Sequence, residues 1–259
     1  MTVLSAVILA VIQGLTEFLP VSSSGHLALA GMVMKVPDGD ITFEIVVHLG
    51  TLMAVIAVYR RDLTQLISGV FQRKKVSLSA AGLLIVGSIP AAVAGFLLMD
   101  SIESVFGNPV IVSLMLLVTG SVLFSTKYVK NGKRNLPTIT GSLIIGISQA
   151  IALLPGISRS GLTISTGLFA GISREKAARF SFMLSIPAIA GAAAVKLGDV
   201  GSSGIDYLIL IAGFVISALT GYIALKILLR FLSAGKFSIF AWYCWLLGLT
   251  GLTVSIATG

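Results

Sequence analysis

Residues 17–27 read EFLPVSSSGHL and residues 154–163 read LPGISRSGLT; both interrupt long apolar runs with proline, glycine and hydroxyl side chains. A shift of 136 residues lays one stretch on the other without a gap. It matches Gln13 to Gln149, Ser22 to Ser158, Ser24 to Ser160, Gly25 to Gly161 and Gly31 to Gly167. Short, Gly/Pro-broken hydrophobic segments at corresponding places in two halves of a chain point to a site near the bilayer midplane.

The surrounding composition makes the bilayer the relevant solvent. Of 259 residues, 56% are hydrophobic and only 11% charged, against about a quarter charged in soluble domains. Mean hydropathy is +1.04. The net charge of +8 does not point to nucleic acid, because the basic residues sit in short connections between apolar runs, as membrane topology requires. The first basic residue is Lys35, so the positive start of a secretory signal is missing and the N-terminal apolar run is expected to be mature structure. One cysteine, Cys244, excludes an internal disulfide and reads as a small buried residue.

Six runs are long enough to cross a hydrocarbon core, which takes roughly 20 helical residues: 41–59, 79–99, 109–126, 176–195, 207–227 and 237–257. Two further segments behave differently. Residues 3–19 break at 20–25 and resume to Met34, and residues 138–154 break at Pro155-Gly156 and resume to Ala170. Their second arms are too short to span, which predicts two re-entrant helix-loop-helix pairs, tolerable at membrane depth only where protein or a wet cavity covers them. The expected fold is an all-α polytopic membrane protein of one domain, residues 1–259. It comprises six transmembrane helices and two re-entrant pairs, with repeats at about 1–130 and 131–259. Three crossings per repeat invert the second relative to the first.

Charges orient this arrangement. Arg60, Arg61, Arg73, Lys74 and Lys75, then Lys127, Lys130, Lys133 and Arg134, then Arg230 and Lys236 fall at alternate ends of the spans. Asp38, Asp40, Asp100, Glu103, Asp199 and Asp206 lie between them, with Lys35 and Lys196 as exceptions. The positive-inside rule then puts both termini outside. The first pair enters from the outer face, the second from the cytoplasm, and their tips meet.

Ionisable side chains at membrane depth are costly and mark function, which singles out Glu17, His26 and Arg159. Gln13 and Glu17 share a helical face, and Ser22, Ser23, Ser24 and His26 follow within a turn or so. In the second segment, Ser158, Arg159, Ser160 and Gly161 stand at a helix start, where free N–H groups and a guanidinium suit a phosphate. Thr163 is either another donor or a hydroxyl bonded back into its helix. Arg159 also has a plainer reading, as the counter-ion of Glu17. The repeat sets Ser23 opposite Arg159, a nucleophile facing a phosphate clamp. Glu44 and His48 line an entrance, support the site or simply pack. Two histidines and one cysteine disfavour zinc, whereas Mg²⁺ or Ca²⁺ held by Glu17 with substrate phosphates fits hard-cation chemistry.

QGLTEFLPVSSSGHL (13–27) and PGISRSGLT (155–163) resemble the glutamate-bearing Ser-Gly-His segment and the P-G-x-S-R-S-x-x-T motif of the bacterial undecaprenyl-diphosphate phosphatases, the bacitracin-resistance family. The resemblance covers essentially the whole chain. It implies hydrolysis of the C55 lipid diphosphate to the monophosphate, recycling the carrier for peptidoglycan and other envelope polymers. It also implies divalent-cation dependence, a bacterial inner-membrane location and a site opening to the periplasmic side. Bacitracin would then compete indirectly by binding the substrate. Gln13 fills a position that the family gives to Glu or Gln, so the first acidic ligand is neutral here. The residues favour Ser23 as nucleophile with His26 as proton acceptor and Glu17 orienting His26 or holding the metal; direct attack by His26 is the rival. A secondary transporter or flippase of polyprenyl phosphates is the alternative function, since broken inverted repeats build transporters too. An ion channel fits less well, for no ring of charged or carbonyl groups recurs. Internal pseudo-symmetry lessens the need for a homodimer and leaves one open.

Overall fold

The computed structural model describes residues 2–34, 41–196 and 205–258, and the described residues form ten α-helices and no strand. Two short helices come first, α1 (Val3–Phe18) and α2 (Ser23–Met34). Three long ones follow, α3 (Ile41–Phe71), α4 (Lys75–Phe106) and α5 (Pro109–Ser125). The order then recurs, with short α6 (Ile139–Ile151) and α7 (Arg159–Phe169) before long α8 (Arg174–Lys196), α9 (Tyr207–Ser233) and α10 (Phe240–Thr258). Six stretches, one in each long helix, are apolar and long enough to cross a membrane. They carry their apolar side chains outward as well as inward: Phe96, Leu97, Ile211, Leu219 and Leu246 are all exposed. Such a surface is stable only against hydrocarbon, so this is a multi-pass membrane protein.

Hydroxyl caps and backbone turns decide where the short helices stop and start. Thr2 caps α1 and Thr138 caps α6, each accepting a backbone N–H from three residues on. Val3 and Ile139, the first residues of these helices, are 136 positions apart, and so are Ser23 and Arg159, which open α2 and α7. The two breaks use one capping device. Ser22 Oγ accepts from Gly25 N (3.2 Å) and lies 3.2 Å from Ser24 Oγ. Ser158 Oγ accepts from Gly161 N (3.1 Å) and lies 3.3 Å from Ser160 Oγ. Ser22 holds φ 68° to make its turn, a left-handed conformation that costs an L-residue roughly 1–2 kcal/mol.

Packing follows the same correspondence. α1 lies along α9 as α6 lies along α4, α3 packs on α9 as α8 does on α4, and α5 pairs with α10. The two breaks touch reciprocally. A Cβ on Gly25 would sit 3.2 Å from Gly156 Cα, and one on Gly161 would sit 3.3 Å from Pro20 Cβ. Gly25 and Gly161 stand 136 residues apart, as do Pro20 and Gly156, so each contact is the counterpart of the other at that offset. In the main apolar core Phe182 meets Phe18 edge-on and stacks against Tyr59.

Several boundaries differ from the sequence reading. α3 does not end at Tyr59; it bends there (φ −98°, ψ 16°) and continues to Phe71. The added segment is amphipathic, with Leu63 and Leu66 packed against the core, so it gains burial that a loop would forgo. Arg60 and Arg61 are therefore helical. α4 begins before Ser79 and runs past Met99 through Asp100 and Glu103 to Phe106. The second break spans residues 152–158 rather than Pro155-Gly156 alone, because three turn hydrogen bonds, at Ala152, Leu153 and Leu154, precede the proline. Lys35, Asp38, Asp40 and Asp199 lie outside the described residues.

Candidate functional site

The centre of the site is the Glu17 carboxylate, at the last turn of α1 and almost wholly enclosed. Its Oε2 accepts from Gln13 Nε2 at 3.1 Å, one helical turn back, and from Ser23 Oγ at 2.7 Å across the break. Its Oε1 accepts from Arg159 Nη2, which completes a salt bridge between the two halves. His48 Nε2 stands 4.0 Å from Oε2, and His48 Nδ1 is 2.8 Å from the Glu44 carbonyl. A carbonyl only accepts, so Nδ1 carries the hydrogen and Nε2 faces the carboxylate. Glu44 enters through its backbone, and His48 through its ring.

Four buried side-chain atoms of Arg159, Gln13 and Gln149 keep unused capacity, two of them on residues bonded to this carboxylate. Arg159 Nη1 has no hydrogen-bond partner, nor has Gln13 Oε1; Gln149, 136 residues on from Gln13, is unpartnered at both side-chain atoms. Buried polar groups are normally satisfied, and an unsatisfied one in a native site calls for a ligand, ion or water. An arginine tied at one nitrogen and free at the other is arranged to take an anionic oxygen while still holding Glu17.

The remaining expected residues separate into those that face this centre and those that build it. Ser22 and Ser158 are helix caps, and Ser24 and Ser160 lie against them. Ser160 Oγ also donates to the Leu19 carbonyl at 3.4 Å, linking the halves. The Gly161 N–H is used by its cap, so the start of α7 offers fewer free amides than its sequence suggests. Thr163 turns away from the carboxylate: its hydroxyl is 2.8 Å from the Arg159 carbonyl and 2.6 Å from Ser181 Oγ on α8. Of its two readings, the structure favours the bonded-back hydroxyl.

His26 occupies a place that spacing did not disclose. Its Nδ1 is 2.8 Å from the Ser22 carbonyl and its Nε2 is 2.7 Å from the Tyr243 hydroxyl on α10. Both ring nitrogens are thus engaged, and Ser23 directs its proton to Glu17 rather than to the imidazole. The expected Ser23–His26 and Glu17–His26 pairings are not among these contacts, because the i−4 carbonyl turns the ring towards α10. Two partners escaped the sequence reading. Tyr243 sits in FAWYCW and looks like one more apolar-span aromatic. Thr119 on α5 donates to the Gly156 carbonyl (2.9 Å) and accepts from Ser158 N (3.1 Å), fixing the second break. No regular spacing could have found either residue.

Known proteins match this chain over nearly its whole length. Residues 6–250 match the family model described as Bacitracin resistance protein BacA. The chain belongs to that family. Among curated relatives named undecaprenyl-diphosphatase, the protein of Moorella thermoacetica is 42% identical over 246 residues, covering 94% of each chain. That of Methanosphaera stadtmanae is 38% identical over 272 residues and 98% of each chain, and that of Halothermothrix orenii 40% over 254 residues and 96% of each. Near-complete coverage on both sides means that the BacA-family resemblance includes both breaks and all six apolar spans.

Proposed function

We propose that this protein is a membrane phosphatase that hydrolyses undecaprenyl diphosphate to undecaprenyl phosphate and inorganic phosphate, recycling the carrier lipid for envelope synthesis. The observation that carries the reading is the Glu17 carboxylate shared between the Ser23 hydroxyl and Arg159, with Arg159 Nη1 free. This sets a nucleophile, its base and an anion clamp on one point. The family membership and the names of the relatives support the substrate.

The chemistry runs as two displacements. The terminal phosphate takes Arg159, whose positive charge offsets the negative charge of the transferred group. Glu17 Oε2, the oxygen not bonded to the guanidinium, accepts the Ser23 proton as Oγ bonds to the terminal phosphorus. The bridging P–O bond breaks and undecaprenyl phosphate leaves with its electrons. Water then attacks the phosphoserine and gives a proton to His26 Nε2, while Ser23 Oγ recovers its proton from Glu17. Orthophosphate departs and His26 loses its proton to solvent.

A divalent cation, Mg²⁺ or Ca²⁺, fits as an ion that enters with substrate. Gln13 Oε1 is a buried oxygen without a partner and Glu17 lies beside it. No group of three or more His, Cys, Asp or Glu suited to a metal occurs among the described residues, so phosphate oxygens would complete the shell. An ion held there by Glu17 and Gln13 would offset diphosphate charge.

In the membrane, α1–α2 and α6–α7 form re-entrant pairs entering from opposite faces, an inverted repeat whose halves are residues 1–130 and 131–259. The matched caps, the mated Gly25–Gly156 and Pro20–Gly161 contacts and the equivalent helix pairings support this arrangement. The basic helix ends and turns at 60–75, 127–134 and 230–236 then face the cytoplasm. Both termini and the mouth of the site face the outer side of the bacterial inner membrane. The test is release of inorganic phosphate from a prenyl diphosphate by purified protein in detergent across divalent cations. Release is expected, and its absence under every cation, with binding intact, would leave the flippase reading in its place.

A further inference from the structure

We infer that Tyr243 is a positioning residue for His26, holding the imidazole in one tautomer and in one plane so that Nε2 is ready to take a proton. The inference rests on the proposed reaction only for the use made of that proton. The bond itself is a property of the resting protein.

Four contacts make the case. The Ser22 carbonyl, 2.8 Å from Nδ1, is solely an acceptor, so Nδ1 is the protonated nitrogen and Nε2 bears the lone pair. The Tyr243 hydroxyl, 2.7 Å away, therefore donates to Nε2 while the ring is neutral. The two rings lie 4° from parallel with centroids 5.6 Å apart, so the phenol also restrains rotation about the Cβ–Cγ bond. The next residue on α10, Cys244, is fully buried and donates its thiol hydrogen to the Pro20 carbonyl at 3.5 Å. Adjacent residues of the last helix thus grip the first break on both sides: one holds its turn, the other its imidazole.

A hydroxyl is suited to this place because it serves both protonation states. When the phenol turns its hydrogen off the Nε2 lone pair, Nε2 can receive a proton from the attacking water, and the phenol oxygen then accepts from Nε2–H, keeping its own hydrogen. His26 changes charge without losing its partner, and Tyr243 neither gains nor loses a proton. Both attack on phosphorus and uptake of a proton require the phenol to free the Nε2 lone pair, but only protonation gives the phenol a partner again, Nε2–H. The geometry therefore favours proton transfer by His26 over phosphorylation of it.

Two measurements test the inference, and the first is independent of the phosphatase reading. The chain has only two histidines, so ¹⁵N-histidine NMR of the full protein in nanodiscs is assignable, with His26→Ala identifying the His48 signals. The expected spectrum of His26 shows a protonated Nδ1 and an Nε2 shifted by an accepted hydrogen bond; Tyr243→Phe, which keeps the ring, should move Nε2 towards a free lone pair. A protonated Nε2 with a bare Nδ1, or a His26 spectrum unaffected by Tyr243→Phe, overturns the assignment. The second measurement is turnover of a prenyl diphosphate. Tyr243→Phe should lower kcat about tenfold with KM within twofold, and should have no further effect on His26→Ala, since residues acting as a unit are non-additive. An equal loss in both backgrounds, or no loss in either, refutes the positioning role. Wild-type turnover by His26→Ala itself would sink the catalytic use of His26, and this role with it, while the NMR still reports whether the bond exists.

Discussion

Replacing Arg159 by lysine isolates the guanidinium fork from its charge. In the resting protein Nη2 is spent on Glu17 and Nη1 is buried without a partner, so the side chain can hold the carboxylate and a phosphate oxygen together. Lysine retains the charge but presents a single shorter point donor in place of the planar fork. The expected loss is one charge-assisted hydrogen bond, about 1.5–3 kcal/mol. At about 1.4 kcal/mol per decade, this lowers kcat/KM about 12- to 140-fold. Arg159→Ala is less informative, because stripping one partner from a buried ion pair leaves Glu17 unneutralised and costs about 3–5 kcal/mol of stability. The assay is phosphate release from a prenyl diphosphate by Arg159→Lys protein whose thermal unfolding matches wild type. A kcat/KM within threefold of wild type would refute the clamp, and Arg159 would then be only the counter-ion of Glu17.

Three further outcomes follow from the same contacts. Glu17→Gln keeps the size of the side chain but removes the proton acceptor of Ser23, so kcat should fall by about 10²-fold or more; a change mainly in KM would assign Glu17 to binding instead. Gly25→Ala forces a Cβ to 3.2 Å from Gly156 Cα and should destabilise the protein by about 1–3 kcal/mol. Gly82→Ala on α4, where a Cβ meets nothing within 4 Å, should shift the unfolding temperature little, and equal effects at both sites would argue against close contact of the breaks. If Gln13 Oε1 helps to hold a divalent ion, Gln13→Leu should raise the Mg²⁺ or Ca²⁺ concentration for half-maximal activity and Gln13→Glu should lower it. An unchanged requirement in both would remove Gln13 from the metal.

What could be read from the sequence is what spacing encodes. The 136-residue offset is visible because Ser22 and Ser158 do the same capping job and leave the same residue types behind. Gln13 and Glu17 were readable as neighbours because four residues is one helical turn. The six spans followed from apolar length, although their ends did not: the extension of α3 beyond Tyr59 depends on Leu63 and Leu66 finding a core, a tertiary fact. The fate of His26 was hidden for the same reason. Its partner is 217 residues away on α10, and no local pattern distinguishes Tyr243 from its aromatic neighbours. Thr163 was readable only as two alternatives, which Ser181 on another helix decides.

The central claim is that the Ser23 hydroxyl, poised on Glu17 and opposite Arg159, attacks the terminal phosphorus of a lipid diphosphate. Rapid quenching of purified protein during turnover of a prenyl diphosphate labelled at its terminal phosphate, followed by peptide mapping, reads that attack directly. Label on Ser23 that vanishes in Ser23→Ala, together with phosphate release, is the result expected. Label on His26, persisting in Ser23→Ala, would contradict it.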